Sequence, residues 1–149
     1  MAPAGRCQIL EVTPAEAWEG LESDGSSILI DVRTRAEWKY VGIPDLHGLD
    51  REVILIEWRS YPQLQVNSEF LSELNKAIGE SVPDNIYFIC RSGARSLEAA
   101  QVTAEELNSR GAAANCVNVL EGFEGDLDAN GHRGSVNGWK VRSLPWRQN

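Results

Sequence analysis

The chain reads as an α/β domain with a mainly parallel central sheet. Two observations predict this class. Short apolar runs of strand length alternate with segments whose apolar residues recur at helical spacing. Two of the strand-like runs are followed at once by a T-x-x-E capping box, the mark of a helix start. The 149 residues are about one domain's worth of chain. No repeat, low-complexity tract or Pro/Gly-rich linker divides them, so residues 1–149 are read as one domain, with a core of about 8–122 and a tail of 123–149.

Each element has a local reason. Ile9 to Val12 is the first expected strand. Thr13-Pro14-Ala15-Glu16 then starts a helix, with Thr13 as the cap, Pro14 at the first helical position and Glu16 closing the box. Ser26 to Arg33 holds Ile28, Leu29, Ile30 and Val32, a nearly continuous apolar run suited to a buried strand. Thr34 to Glu37 repeats the capping box and starts a short helix ending near Tyr40, before Gly42 and Pro44. Glu52 to Trp58 alternates β-formers. Asn67 to Ile78 follows the 3.6 period through Phe70, Leu71, Leu74, Ala77 and Ile78, with Gly79 to end it. Asn85 to Ile89 is a strand with Cys90 at its tip. Ser96 to Arg110 is a second long helix, with Leu97, Ala100, Ala104 and Leu107 on one face. Asn115 to Leu120 is the last strand. Beyond Gly122 the sequence is Gly-rich and carries Trp139 and Trp146, whose large apolar rings predict a segment that wraps back on the core.

Composition narrows the function. Hydrophobic residues are 42% and charged residues 24%, as in a folded soluble protein. The net charge is −8; residues 1–120 hold 18 acids and 10 bases, and the tail holds four of each. Such a surface argues against a nucleic acid or an anionic membrane as partner. No apolar run reaches membrane-spanning length, and Met1 to Gln8 shows no secretory pattern, so a cytoplasmic protein is expected. Cys7, Cys90 and Cys116 are too few and scattered for a disulfide framework. With only His47 and His132 beside them, no metal site is expected, and no cofactor is implied.

The segment Cys90-Arg91-Ser92-Gly93-Ala94-Arg95-Ser96 carries the chemistry. In open parallel sheets ligands bind beyond the C-terminal ends of the strands. Cys90 lies at such an end, just before a helix. Backbone N–H groups of the intervening loop and the helix N-terminus make an anion cradle. A cysteine there is expected to ionise more readily than a free thiol. Arg91 and Arg95 add two positive charges suited to an oxyanion. Gly93 gives the loop backbone freedom that other residues lack. Together these predict a nucleophilic sulfur beside a bound anion, and a covalent cysteine intermediate. The plain alternative is a buried core cysteine followed by solvated loop charges.

These residues resemble the active-site loop of single-domain rhodanese-type sulfurtransferases. A second stretch, Asp31-Val32-Arg33, Glu37-Trp38 and Gly42-Ile43-Pro44, resembles that family's D-V-R…E-W…G-H-I-P segment, without the histidine after Gly42. The resemblance runs from about Val12 to Gly122. It implies a three-layer rhodanese-like α/β/α fold with about five strands. It also implies transfer of sulfane sulfur from a small anionic donor such as thiosulfate to a thiophilic acceptor, cyanide or a thiol, a protein thiol included. Cys90 would carry the sulfur as a persulfide, held by the backbone N–H groups of Arg91 to Ser96. Arg91 and Arg95 would orient the donor, and Asp31 and Arg33 would support the loop.

Two rivals share this resemblance. Cysteine phosphatases and arsenate reductases related to rhodaneses use a C-x5-R loop. Cys90 and Arg95 enclose four residues, and the shorter loop favours sulfur transfer. Non-catalytic rhodanese-like binding modules typically lack the cysteine, which is present here. Elsewhere, Cys116 reads as a core residue, Cys7 as lying near a flexible terminus from which it could resolve a Cys90 persulfide, and His132 as a surface-loop histidine. Trp58, Arg59 and Tyr61 either pack or line the pocket mouth. The donor, the acceptor and the oligomeric state are not encoded in any motif.

Overall fold

The computed structural model describes residues 7–148. In chain order the elements are β1 (Gln8–Val12), α1 (Pro14–Ser23), β2 (Ile28–Asp31), α2 (Arg35–Tyr40), β3 (Ile43–Pro44), β4 (Ile54–Leu55), β5 (Arg59–Ser60), β6 (Gln65–Val66), α3 (Phe70–Ile78), β7 (Asn85–Ile89), α4 (Ala94–Ser109), β8 (Asn115–Val119) and β9 (Trp146–Arg147). The central sheet has the order β1-β8-β7-β2-β4, and every neighbouring pair is parallel. Both capping boxes form: Thr13 and Thr34 accept from the backbone N–H of Glu16 and Glu37, whose carboxylates return the bond.

Strand periodicity sorts the core into two layers. Leu29, Tyr87, Ile89, Val117 and Val119 face one side, where they meet Ala17 and Leu21 of α1, Ile43, Leu46, Phe123 and Trp139. Ile30, Ile86, Phe88 and Cys116 face the other and pack on Phe70 and Leu74 of α3 and Ala99, Ala100 and Leu107 of α4. The result is a three-layer α/β/α arrangement matching the expected class. The small residues of α4 let that helix lie close on the sheet.

Several boundaries differ from the sequence reading. The strand expected over Glu52–Trp58 contracts to Ile54–Leu55, because β4 is an edge strand that pairs only with the end of β2. The helix expected from Asn67 begins at Phe70. Asn67 is spent on the preceding loop, donating from Nδ2 to the Glu57 carbonyl at 2.8 Å and accepting from the Glu69 N–H at 3.0 Å. The second long helix starts at Ala94, two residues earlier than read, with Gly93 at its cap in the left-handed region (φ 112°). Short antiparallel pairs between β3 and β9 and between β5 and β6 carry no strong local signal and were not foreseen.

The connections from β2 and β7 leave in opposite directions. The chain goes from β2 outward to β4, and from β7 toward β8. The crevice between the C-terminal ends of β2 and β7 is therefore a topological switch point. Residues 122–148 cross the α1 side of the sheet. Trp139 is fully buried, lies edge-on to Trp18 at 5.9 Å and donates from Nε1 to the Pro145 carbonyl at 2.8 Å. β9 then pairs with β3.

This packing makes the tail part of the core. Trp139→Ala is expected to cost about 3–5 kcal/mol, the usual size for emptying a buried aromatic site. Val141→Ala, at an exposed position in the same segment, is expected to stay within about 0.5 kcal/mol. Urea unfolding of the two variants checks the contrast.

Candidate active site

Cys90 ends the central strand β7 and sits at the switch point beside the end of β2. Its side chain is 1% exposed. The sulfur accepts from the Gly93 N–H at 3.1 Å and lies 3.2 Å from the Ser96 hydroxyl. Because α4 begins at Ala94, Arg95 and Ser96 belong to its first turn rather than to a longer loop. Arg91, Ser92 and Gly93 are the residues that connect strand to helix. Among the described hydrogen bonds, Gly93 is the member of the 91–96 stretch whose N–H reaches the Cys90 sulfur.

The back of the loop is bound by a segment that the motif reading did not single out. The Phe123 N–H donates to the Cys90 carbonyl at 2.8 Å. The Glu124 and Gly125 N–H groups donate to the Arg91 carbonyl at 3.0 and 3.1 Å. Gly122 makes this approach possible: a Cβ there would lie 2.5 Å from the carbonyl group of Arg91, and its φ is +69°. The Gly-rich stretch after the last strand was the available signal. By sequence alone it marks the start of the tail, not a wall of the site.

The two loop arginines do different things. Arg95 forms a two-pronged pair with Glu37, Nη1 to Oε1 at 2.8 Å and Nη2 to Oε2 at 3.0 Å. Glu37 reaches it from α2, so the pair spans the crevice between the β2 and β7 sides. Burial alone would raise the Glu37 carboxyl, but Arg95 and the Thr34 donors outweigh it and hold it below its ordinary value. Burial likewise works against the Arg95 charge, and the Glu37 carboxylate more than offsets it. Arg91 is exposed and makes no ion pair among the described residues. The expected pair of available cations is thus one exposed cation and one already engaged.

Asp31 and Arg33 are fully buried and face each other. Arg33 donates from Nε to Asp31 Oδ1 at 2.9 Å and from Nη2 to Oδ2 at 2.6 Å, then from Nη2 to the Gly42 carbonyl at 2.7 Å. Its guanidinium carbon lies 4.3 Å over the Phe123 ring. Desolvation opposes that charge, and Asp31 outweighs it and raises the Arg33 value. Neither side chain touches the sulfur. They connect to the Cys90 carbonyl through Phe123.

A polar chain runs behind Ser96. The Ser96 hydroxyl donates to Asn118 Oδ1 at 2.6 Å. Asn118 Nδ2 donates to Glu11 Oε2 at 3.0 Å and to the Gly93 carbonyl at 3.2 Å. Ser96 and Asn118 are buried, while Glu11 lies exposed on the edge strand β1. Asn118 stands inside a strand read only for its apolar content, so nothing local marked it.

The remaining candidates fall elsewhere. Cys116 is in the core, where burial pushes its thiol up to about 12. Cys7 is also buried and packs in the α4 layer; the terminus before it lies outside the described residues. Its N–H donates to Asn108 and its thiol to the Ala112 carbonyl, which anchor it. His132 is exposed and uses its backbone N–H on Asp128 at 2.9 Å. Trp58 and Arg59 turn to α4, where both donate to Glu98, and Tyr61 stays exposed. A cleft of about 410 Å³ lies between α2, β4 and the start of α3, lined by Arg35, Trp38, Leu55 and Glu57 among others; it does not include the Cys90 loop.

Comparison with known proteins agrees with this architecture. The crystal structure of Rv0390 from M. tuberculosis is similar at 45% identity and a TM-score of 0.79, covering 93% of this chain and 97% of that one. Uncharacterized protein RP600 of Rickettsia prowazekii is 33% identical over 139 residues, 93% of this chain and 98% of its own length. Uncharacterized protein RC0915 of Rickettsia conorii is 32% identical over the same length and shares. Residues 13–128 match the rhodanese-like domain, a span that holds Asp31, Arg33, Glu37 and the whole Cys90 loop. The chain belongs to the rhodanese-like domain family.

Proposed function

We propose that the protein is a sulfurtransferase that carries sulfane sulfur on Cys90 from an anionic donor to a thiophilic acceptor. One observation carries the reading: the Cys90 sulfur lies at the head of α4, 3.1 Å from the Gly93 N–H, in a loop of four residues between Cys90 and Arg95. The N–H donor and the helix N-terminus suit negative charge on sulfur, in the nucleophile and again in the persulfide.

The chemistry needs no resident cofactor. With thiosulfate, the Cys90 thiolate attacks the outer sulfur and forms a new S–S bond. The old S–S bond breaks, and sulfite leaves with its electron pair. In the second half-reaction a cyanide or thiolate acceptor attacks the outer persulfide sulfur, and the Cys90 thiolate is released. Arg91 is the cation free to meet the donor. Arg95 shapes the loop wall and neutralises Glu37. Asp31 and Arg33 hold the Phe123 segment on which the loop rests. A cytoplasmic setting, where thiols stay reduced, suits this cycle. Among the described residues no helix is long and apolar enough to cross a membrane.

Mixing the protein with thiosulfate and weighing it intact tests the reading directly. The expected result is a gain of one sulfur atom, lost on adding cyanide and absent from Cys90→Ser. No adduct with thiosulfate, an organic persulfide or a mercaptoacid overturns it and favours a non-catalytic binding module.

Arg95→Ala leaves the buried Glu37 carboxylate without its cation and facing the loop. An anionic donor should then lose more kcat/KM than an uncharged organic trisulfide, and Arg95→Ala/Glu37→Gln should recover part of the difference. Equal losses for both donors count against the assigned charge roles.

The depressed Glu37 carboxyl also sets a pH dependence. A carboxyl held below its unfolded value contributes stability above that value, near 4.5, and loses it as pH falls through the lower folded value. Glu37→Gln should therefore be less stable than wild type at pH 7, with the gap closing in acid below about 4.5. Urea midpoints measured at pH 7 and at pH 3.5 read the change.

A further inference from the structure

The hydroxyl of Ser96 has one proton and two neighbours that could take it: the Cys90 sulfur at 3.2 Å and Asn118 Oδ1 at 2.6 Å. Which one receives it depends on the orientation of the Asn118 amide. That orientation is set from the other side. The amide nitrogen faces the Glu11 carboxylate at 3.0 Å and the Gly93 carbonyl at 3.2 Å, and both of these only accept. A flipped amide would set oxygen against oxygen at both contacts. The amide oxygen therefore faces Ser96 and takes its proton, and Ser96 presents a lone pair to the sulfur. In this arrangement Ser96 accepts from a Cys90 thiol and gives nothing to a thiolate.

We propose that Asn118 and Glu11 are positioning residues that lock the Ser96 hydroxyl as a hydrogen-bond acceptor toward Cys90. The lock favours the protonated, resting sulfur. For Ser96 to donate to an ionised sulfur, it must release Asn118 Oδ1, which is buried among residues that offer no other donor in the described hydrogen-bond set. Glu11 gives the lock a handle at the protein surface, because it is an exposed residue of the edge strand β1. The inference deepens the reading of Cys90 as the working nucleophile and rests on it. Its test uses alkylation instead of sulfur transfer, so the two can fail separately.

Charged and titratable groups on the surrounding elements are Arg91 in the loop, Arg95 of α4 with Glu37 of α2, Tyr61 of the β5–β6 hairpin, which acts electrostatically on Arg95, and the Asp31–Arg33 pair after β2. All are kept in every variant, so a change in profile is assigned to the polar chain.

The experiment follows alkylation of Cys90 by iodoacetamide across pH, read by peptide mass. Asn118→Leu removes the competing acceptor and frees the Ser96 proton for the sulfur. On the acid side of the profile, alkylation should speed up by about tenfold, the size of one hydrogen bond to a charged atom. The same substitution in a Ser96→Ala background should have no such effect, because there is no hydroxyl left to redirect. A packing disturbance would act in both backgrounds. Glu11→Leu, at the surface, should shift the profile in the same direction by less, and Glu11→Gln, which still offers an acceptor, should restore the wild-type profile. If Asn118→Leu does not fold, the Glu11 pair carries the test. An unchanged or alkaline-shifted profile overturns the proposal, as does an acid-side gain that persists without Ser96. So does a Glu11→Gln profile that matches Glu11→Leu.

Discussion

The site depends on how the carbonyl groups of Cys90 and Arg91 are held. They accept from the N–H groups of Phe123, Glu124 and Gly125. A trans peptide is planar, with its C=O and N–H pointing in opposite directions. Binding the two carbonyls to the tail segment therefore turns the N–H groups of Arg91 and Ser92 away from it. The loop keeps its donors unspent because its acceptors are satisfied from behind. Gly122 is the steric condition for this contact, since any Cβ there would run into the Arg91 carbonyl.

Much of the surrounding structure serves that contact. Phe123 is fully buried, and the paired Arg33 guanidinium lies over its ring. Burying an ion pair is costly unless its geometry is good and its other atoms are bonded. The Asp31–Arg33 pair meets this with two parallel bonds and a third to Gly42, although Arg33 Nη1 has no partner among the described residues. Gly42 in turn packs against Trp146 and Arg147, so the end of the tail closes on the segment that holds Arg33. Trp139 anchors the middle of that tail under the sheet. The path from β2 through Arg33 and Phe123 to Cys90 is a chain of physical contacts.

Charge is arranged around the loop with equal economy. On a chain of net charge −8, unpaired carboxylates beside the loop would repel any anion placed there. Glu37, which reaches the first turn of the loop's helix from α2, is matched by Arg95, and Asp31 is matched by Arg33. Arg91 is left exposed and without an ion pair among the described residues. The cationic character of the site thus comes from cancelling nearby acids and leaving one base over, not from a basic surface.

Local chemistry in the sequence was enough for the fold class, both capping boxes, the Cys90 loop and the D-x-R segment, because each rests on neighbours in the chain or on short periodic patterns. The β4 strand is shorter and α3 starts later than local preference predicts, because edge pairing and the bond from Asn67 to the Glu57 carbonyl override it. The start of α4 was placed two residues late because Gly93, read as a loop residue, serves as the cap. The parts of the site supplied from a distance were not legible: Glu37 on Arg95 is 58 residues away, Asn118 on Ser96 is 22 away, and Glu11 on Asn118 is 107 away. A contiguous motif determines which residue is the candidate nucleophile. What packs behind that residue, pairs with the charges around it and hydrogen-bonds the hydroxyl beside it is decided only by tertiary structure, because those partners lie far apart in the chain and meet only when the helices and parallel strands are packed together.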